Sequence, residues 1–483
     1  MSAKPPPNGP PPGAAGTPAP RPDDLFGEAT ELNRKLGALE VLSIVISRII
    51  GSGIFRTPGP IMIAVGCVSL FYGAWIIGAV ATILAAILYA ELVAMMPRSG
   101  GPYAYLKAAF PPWWAFLRGW AMFFVSETAA IVAVALVFSH YSNSLYEVAV
   151  GQPFAPGVET LLALAIIWLH TASNLFGVGF SGLLQDIFSF AKIAALLVIV
   201  VASFSTGVNP GNFTTGFWPE GGFWTSLVGV FGALRYAFFA YSGWEGATYV
   251  AEEVKNPRRN LPLSLFAGIG GVMLLYLLVN TAYLNQLSVP EIIASGRSIA
   301  ADAMQRASGP AGLVLICLAV MMSTFGNVGT QIMVKARTWH AMARDGMFFQ
   351  RLGRIHPVTK TPNAALVAQA AWASVLLCFA SQAENAYETV IDFFSFVSAI
   401  FNISTFLVIP ALRKKYPDAP RPYRAWGYPF TLWAVVAIYA VFALVTLYDR
   451  FVPSLCGLAL TLTGLVYYFL VVKPRLRAAT DGR

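Results

Sequence analysis

The stretch IIGSGIF, Ile49 to Phe55, lies in the middle of the first long apolar run of the chain, residues 39–64. A run of this length can cross a bilayer, because a helix rises about 1.5 Å per residue and the hydrocarbon core is about 30 Å thick. Glycine has no Cβ, so Gly51 and Gly53 allow the backbone to leave helical geometry here. An opened turn at this depth exposes N–H and C=O groups, which are tolerated only against protein or a water-filled cavity.

These glycines have two interpretations. In one, the small residues form a notch into which a neighbouring helix packs. In the other, the helix is opened beside a binding cavity. A second interruption, YSGWEG at Tyr241–Gly246, lies in another apolar run, residues 226–252. Two interrupted spans in one chain favour the binding cavity, because such pairs are typical of secondary transporters.

The composition indicates a polytopic membrane protein. Of 483 residues, 57% are hydrophobic and only 11% are charged, and the mean hydropathy is +0.64, whereas soluble domains carry about 25% charged residues. The first apolar run is too long and too deep in the chain for a cleaved signal peptide. The net charge of +9 is concentrated in particular loops, so it predicts no nucleic-acid partner.

Neither a metal nor an enzymatic centre is predicted. The four cysteines, Cys67, Cys317, Cys378 and Cys456, lie in or beside apolar runs, and neither they nor the four histidines have metal-ligand spacing. We find no glycine-rich phosphate loop with its lysine, which disfavours an ATP-driven pump. We therefore expect a transporter rather than an enzyme, with no cofactor and with the lipid bilayer as its environment.

The hydropathy pattern predicts twelve spans in an all-α membrane protein. The runs are residues 39–64, 67–94, 112–145, 158–177, 183–204, 226–252, 261–286, 311–340, 364–380, 387–412, 427–447 and 453–472. Lysine and arginine in the connecting loops predict the orientation, because cytoplasmic loops carry an excess of both. The predicted cytoplasmic set is Arg34, Lys35, Arg98, Lys107, Arg118, Lys255, Arg258, Arg259, Arg344, Arg351, Arg354, Lys360, Arg413, Lys414, Lys415, Arg421, Arg424, Lys473, Arg475 and Arg477. Only Arg297, Arg306 and Arg450 lie in loops of the other side, so both termini are expected in the cytoplasm.

The order of the spans predicts two inverted repeats of five helices followed by two extra helices, because the interrupted spans are the first and the sixth. Residues 1–35, rich in proline, glycine and alanine, are expected to be a disordered cytoplasmic tail. The predicted divisions are then 36–205 for the first repeat, 206–412 for the second, 413–472 for the last two spans and 473–483 for a cytoplasmic tail.

Two opened helices that meet at mid-membrane suit a zwitterion. The positive N-terminal ends of half-helices attract a carboxylate, and free carbonyls accept hydrogen bonds from an ammonium group. The candidate substrate-binding residues surround the two interruptions: Ile49, Ile50, Gly51, Ser52, Gly53, Phe239, Ala240, Ser242, Gly243 and Glu245.

Several separated motifs resemble one family, the amino acid–polyamine–organocation (APC) superfamily, and within it the L-type amino acid transporters (LAT family). They are IIGSGIF, the stretch Phe238–Pro262, SFAKIAALL around Lys192, TFGNVG from Thr324 and IDFFSF from Ile391. The resemblance covers residues 36–472. It implies a LeuT-type fold and a sodium-independent exchanger (antiporter) of neutral L-amino acids that works by alternating access.

The resemblance also implies individual roles. Ile49, Ser52 and Gly53 would contact the substrate carboxylate or amine, Phe239 would be an aromatic gate, and Ser242 and Gly243 would line the side-chain pocket. Lys192, a charge within an apolar helix, would replace a structural sodium ion, or its stem could instead extend to the cytoplasmic face. Tyr276 would link that lysine to neighbouring helices, or it is ordinary packing. Ala130 and Ser398 would leave room for a bulky substrate side chain, or they reflect tight packing.

Glu245 departs from many L-type members, and three roles are open for it. A carboxylate in a dry cavity can exchange protons near neutral pH, bind a cationic substrate group or pair with an arginine. The alternative functions are therefore a proton-coupled amino acid permease and a cationic amino acid antiporter. Arg48, Arg56 and Arg235 lie in the interrupted spans and Glu127 lies in the third span, so we expect at least one Arg–Glu pair. Alternatively, Arg56 and Arg235 line the outer vestibule and attract carboxylates.

The loop after the third span indicates whether the protein is joined to a second chain by a disulfide bond. Eukaryotic members of the resembled family join a heavy chain through a cysteine in this loop, but here residues 140–158 contain none. We therefore expect no disulfide-linked heavy chain, and a bacterial source in which the protein lies in the plasma (inner, cell) membrane.

Overall fold

The computed structural model describes residues 34–97, 101–176, 181–295 and 298–481. The predicted tail before residue 34 lies outside the described residues. Within them the chain is helical and contains no β-strand, which confirms the predicted all-α class; Leu36 and Val254 form one isolated bridge.

The first half of the chain contains the first interruption and ends, with α11, at the second. They are α1 Ala38–Ile49, α2 Gly53–Arg56, α3 Pro58–Val65, α4 Val68–Met95, α5 Gly101–Ala109, α6 Pro112–Ala121, α7 Glu127–Val150, α8 Val158–Leu175, α9 Ser181–Ser205, α10 Pro210–Thr214 and α11 Phe223–Ala240. Those of the second half are α12 Pro257–Gln286, α13 Val289–Ser295, α14 Ile299–Arg344, α15 Asn363–Ala380, α16 Ala386–Phe406, α17 Val408–Lys415, α18 Phe430–Asp449, α19 Phe451–Tyr467 and α20 Lys473–Asp481.

Eleven helical segments among the described residues are long and apolar enough to cross a membrane. The region of the predicted fifth span is the helix α9, in which the described apolar part, Lys192–Ser205, is shorter than those eleven segments. The protein is therefore a multi-pass membrane protein, and the count of twelve spans stays a prediction. The predicted repeat boundary at residue 412 falls inside α17, which continues to Lys415.

The first interruption separates α1 from α2. Helix α1 ends at Ile49, Ile50 has the non-helical angles φ −70° and ψ 88°, and helical backbone resumes at Gly53. The backbone then continues through Thr57 into α3, whose first residue is Pro58. Proline suits the first position of a helix because it lacks a backbone N–H, and an N–H at this position would have no acceptor within the helix.

The second interruption follows α11, which ends at Ala240. Gly243 has φ +98°, a left-handed conformation that glycine adopts without steric penalty, and a 3₁₀ helix follows at Trp244–Glu253. The two interruptions touch, because a Cβ on Gly53 would lie 2.5 Å from the Cα of Ala240. A side chain at residue 53 would therefore separate the two helices.

The third span contains an irregular turn. Residues Met122–Ser126 form a π-helical turn between α6 and α7. Such turns are rare and occur frequently at functional sites. The turn places Ser126 and Glu127 beside the central cavity.

A fully buried acid ties the second span to the region after the tenth. Glu91 on α4 accepts from Arg413 Nε at 3.0 Å and Nη2 at 2.7 Å, and from the Ala425 backbone at 2.7 Å. Its side chain is 1% exposed. Three hydrogen bonds offset the free energy of burying this charge, so the cluster stabilises the fold only while it is complete.

We predict that Glu91→Gln lowers the free energy of unfolding by about 3–5 kcal/mol, because Arg413 would remain partly buried without its counter-charge. The measurement is the thermal unfolding midpoint of the purified protein in detergent.

Asp345→Asn is the matched control. Asp345 pairs with Lys107 at 3.1 Å, but both side chains are more than 40% exposed, and exposed pairs contribute about 0–1 kcal/mol. Equal midpoints for the two variants would contradict a stabilising role for the buried cluster.

Candidate functional site

The two interruptions open onto one cavity of about 200 Å³. It lies between α1 and α11 on one side and the third, eighth and tenth spans on the other. Its polar and charged lining includes Ser47, Arg48, Ser52, Thr82, Tyr89, Arg118, Ser126, Glu127, Lys192, Arg235, Ser242, Glu245, Asn327, Thr330, Gln331, Lys335, Ser395, Ser398 and Asn402. Most of these residues are neutral, so the wall offers many uncharged hydrogen-bonding groups.

Most of the residues singled out from the sequence line this cavity. They are Ile49, Gly51, Ser52, Gly53, Lys192, Phe239, Ser242, Gly243 and Glu245, together with Ala130 and Ser398. Ile50, Ala240 and Tyr276 are buried but do not line it. These three residues therefore lie behind the cavity wall rather than on its surface.

Tyr276 on α12 joins the two interrupted helices. Its hydroxyl lies 3.1 Å from the carbonyl oxygen of Ile49 and 3.3 Å from that of Ala240. Both carbonyls lost their helical partners where α1 and α11 end, so one buried hydroxyl serves both. Both residues are among the substrate-binding candidates predicted from the sequence, and their carbonyls already have a donor.

Ser52 presents a hydrogen-bonding group to the cavity. The residue is 1% exposed, and its hydroxyl has no hydrogen-bond partner among the described residues. A buried hydroxyl without a partner is unfavourable. Ser242, across the cavity, is exposed to the cavity space, but its hydroxyl donates to the Phe239 carbonyl at 2.7 Å. Ser52 is therefore the more available of the two for a ligand.

Lys192 on α9 contacts the first interrupted helix. It is 5% exposed, and its ammonium group donates to the Ser47 carbonyl at 3.4 Å, within the last turn of α1. A cation is favourable there, because carbonyls at a helix C-terminus carry partial negative charge.

Phe239 lies at the wall with two other aromatic rings. Its ring centroid is 6.0 Å from that of Tyr387 and 6.2 Å from that of Phe394, both on α16. This geometry allows the ring to cover one end of the cavity.

An ion-pair cluster lies at that same end. Asp392 on α16 contacts Arg235 Nε at 2.9 Å and Arg450 Nε at 3.2 Å, and Arg235 also donates to Asp449 at 2.8 Å. The sequence left the partners of Arg235 open. The cluster joins α11 to α16 and to the turn between α18 and α19, and its two cations balance two carboxylates.

The opposite end of the cavity holds a second set of charges. Lys335 on α14 contacts the Glu127 carboxylate at 3.0 Å and donates to the Glu127 carbonyl at 2.7 Å and to Gln331. Sequence reasoning did not single out Lys335. The signal was available, because a lysine within an apolar span is as unusual here as Lys192.

Arg118 corrects an expectation from the sequence. It was counted among the cytoplasmic loop cations, but it is 6% exposed, lies on α6 and lines the cavity. Its Nε has no hydrogen-bond partner among the described residues. Arg118 lies within the apolar run that begins at residue 112, and only its positive charge led us to assign it to a cytoplasmic loop.

Glu245 and Arg48 lie near each other without a direct pair. Arg48 packs against Gly246, where any Cβ would overlap its guanidinium group. The charges acting on Glu245 are those of Glu127, Arg48 and Arg118, but the ion pairs within the described part of the chain do not include Glu245. The proposed Glu245–arginine pair is therefore not formed in this structure.

Among the described residues no group of three histidine, cysteine, aspartate or glutamate side chains is placed to hold a metal ion. The arrangement instead combines backbone ends, hydroxyls and paired charges. Such a wall can bind a small zwitterion by hydrogen bonds and electrostatics.

Comparison with known proteins agrees with this geometry. The chain is 31% identical over 465 residues to the large neutral amino acids transporter small subunit 2 of Mus musculus, covering 92% of this chain and 82% of the mouse protein. It is 27% identical over 457 residues to the serine/threonine exchanger SteT of Bacillus subtilis, covering 92% and 98%. It is 28% identical over 461 residues to the cystine/glutamate transporter of Homo sapiens, covering 93% and 88%.

The profile of the family described as amino acid permease matches residues 36–472, the same range over which the motifs resemble L-type transporters. The resemblance, the LeuT-type fold and the expectation of a transporter rather than an enzyme are thereby confirmed. The chain belongs to the amino acid permease family of the APC superfamily.

Proposed function

We propose that this protein is a sodium-independent exchanger of neutral L-amino acids that works by alternating access. The observation that carries the proposal is the single cavity onto which both interrupted helices open, with Tyr276 joining their ends. The relatives include a protein named as a serine/threonine exchanger, which supports exchange rather than one-way uptake.

The α-carboxylate of the substrate binds at the first interruption. Ser52, the residue directly before α2, supplies a buried hydroxyl that has no hydrogen-bond partner among the described residues. Because the Ile49 carbonyl accepts from Tyr276, the substrate ammonium binds to the second lone pair of this carbonyl or to neighbouring carbonyls that line the cavity.

Lys192 takes the place of a sodium ion. Its ammonium group lies against the last turn of α1, at the Ser47 carbonyl. A covalently attached cation there removes the need for a bound one, and transport then requires no sodium gradient.

Phe239 is the gate on one side of the substrate. Its contacts with the aromatic rings of Tyr387 and Phe394, and the adjacent Arg235–Asp392 pair, give that end a cover that separates when α16 moves away from α11. Exchange follows if this cover opens only when substrate occupies the cavity.

The charges of the cavity select between the alternatives. Five cations, Arg48, Arg118, Lys192, Arg235 and Lys335, line the cavity together with two carboxylates, Glu127 and Glu245, which disfavours a substrate with a cationic side chain. Proton coupling is the second candidate function, because Glu245 lines the cavity and takes part in no ion pair among the described residues.

We further propose that the protein lies in the cell (plasma) membrane with both termini in the cytoplasm. The excess of lysine and arginine on the side that carries the ends of α14 and α17 supports this orientation. The cysteine-free loop at residues 140–158 supports a protein that works without a disulfide-linked heavy chain.

The first prediction tests the function itself. Proteoliposomes preloaded with an unlabelled neutral L-amino acid should take up a labelled one equally well with and without sodium, and empty vesicles should not. Uptake into empty vesicles driven by an inward proton gradient would contradict exchange and favour the proton-coupled permease.

The second prediction concerns Lys192. Lys192→Ala should reduce sodium-free exchange about tenfold to a hundredfold, the effect of losing one hydrogen bond from a charged donor. Lys107→Ala, in the exposed pair with Asp345, is the control and should match the wild type. Wild-type exchange by a correctly inserted Lys192→Ala variant would remove the sodium-replacement role.

The third prediction separates proton coupling from plain exchange. If Glu245 carries a proton, exchange depends on pH between about 5 and 8, and Glu245→Gln flattens that profile. Glu291→Gln is the control, because hydrogen bonds from the Ser288 hydroxyl and amide lower the pKa of the Glu291 carboxyl to about 2, so that it does not titrate in this range. A profile unaltered by Glu245→Gln would assign Glu245 to substrate binding alone.

A further inference from the structure

We infer that the end of the cavity bounded by Arg118, Ser126 and Glu245 binds the side chain of the substrate and is built for a carboxamide, as in glutamine or asparagine. The inference rests on the proposed function, because it names the substrate class of the same site.

The first observation is the state of Arg118. Its side chain lies inside the protein with 6% exposure, its guanidinium carbon is 5.5 Å from the centre of the Phe401 ring, and its Nε has no hydrogen-bond partner among the described residues. A buried guanidinium N–H without an acceptor is unfavourable. Since Arg118 lines the cavity, an acceptor oxygen brought by a ligand would satisfy it.

Ser126 is the second observation. It is 6% exposed, its hydroxyl also lacks a partner among the described residues, and it lines the same cavity. It lies at the end of the π-helical turn that follows α6, so the irregular turn and Arg118 belong to one wall. Two buried polar groups on one wall, the Arg118 Nε and the Ser126 hydroxyl, have no hydrogen-bond partner among the described residues. They indicate that this end of the cavity binds a polar group of the ligand.

Glu245 supplies the opposite chemistry. It is partly exposed to the cavity and belongs to none of the ion pairs found in the described ranges, whereas Glu127 is occupied by Lys335. The charges around Glu245 are Glu127, Arg48 and Arg118. This end therefore presents donors from Arg118 and Ser126 and an acceptor from Glu245.

A carboxamide matches both sets at once. Its oxygen accepts from Arg118 or Ser126, and its NH₂ group donates to Glu245. An ammonium side chain would face the positive charge of Arg118, and a carboxylate side chain would face the negative charge of Glu245. The small residues Ala130 and Ser398 on the neighbouring wall leave space for a chain of glutamine length.

The experiment is counterflow in sodium-free proteoliposomes with glutamine, norleucine, glutamate and ornithine as competing external substrates. Norleucine is the reference, because it has a similar length and no polar side-chain atom. We expect the kcat/KM ratio of glutamine to norleucine to be about ten or more, which corresponds to one hydrogen bond to a charged donor. Glutamate and ornithine should both fall below glutamine.

The variants assign the preference to Arg118. Arg118→Met should lower the glutamine-to-norleucine ratio about tenfold, and Arg118→Lys, which keeps a donor, should restore part of it. Arg306→Met is the control, since Arg306 lies outside the cavity and pairs with Glu291. The ratio isolates side-chain recognition, because a folding defect lowers exchange of both substrates together.

Three results would overturn the inference. They are equal kcat/KM for glutamine and norleucine in the wild type, an equal loss of both substrates in both Arg118 variants, and a preference for glutamate or ornithine over glutamine. Norleucine exchange without a glutamine preference would refute the carboxamide subsite and leave the exchanger intact. Absence of counterflow with every amino acid would refute the proposed function instead.

Discussion

The structure depends on the direct contact between two helices that both stop in the interior of the protein. Gly53 approaches the Ala240 backbone so closely that a Cβ would lie 2.5 Å from its Cα. Where each helix stops, its last carbonyls have no N–H donor from a following turn and need other donors. The hydroxyl of Tyr276 reaches the carbonyls of Ile49 and Ala240 together, so one side chain from a third helix stabilises both ends and defines the distance between them.

A cavity whose walls are helix ends has a specific consequence for binding. Backbone groups recognise what all α-amino acids share, the carboxylate and the ammonium group, and they do so without placing a charged side chain in the apolar core. Side chains are then free to recognise the part that differs. In the function proposed here, the first interruption with the Ser52 hydroxyl serves the first task, and Arg118 with Glu245 serves the second. The proposal thus separates the binding of the class from the selection of its members.

The interruptions could be predicted from the sequence because glycines at mid-span are a local signal: Gly51, Gly53 and Gly243 all lie where the helices stop or touch. The all-α class likewise follows from local hydropathy, whereas the count of twelve spans stays a prediction beside the eleven apolar segments of the described residues. The cavity wall opposite could not be predicted in the same way. Arg118 reads as a loop cation by its charge, and the pairing of Glu127 with Lys335 joins residues 208 positions apart, a contact that only the packed fold defines.

The charges at the two ends of the cavity differ in a way that bears on selectivity. At the Phe239 end, Arg235 and Arg450 face Asp392 and Asp449, and every member has a direct partner. At the other end, among the residues that the structure describes, Glu127 and Lys335 are the direct pair. Charges that are all paired with one another can hold two helices together, but they leave no group free to bind a ligand. Charges without a direct ion-pair partner leave both a donor and an acceptor for a ligand. The Phe239 end is therefore suited to gating and the Arg118 end to recognition.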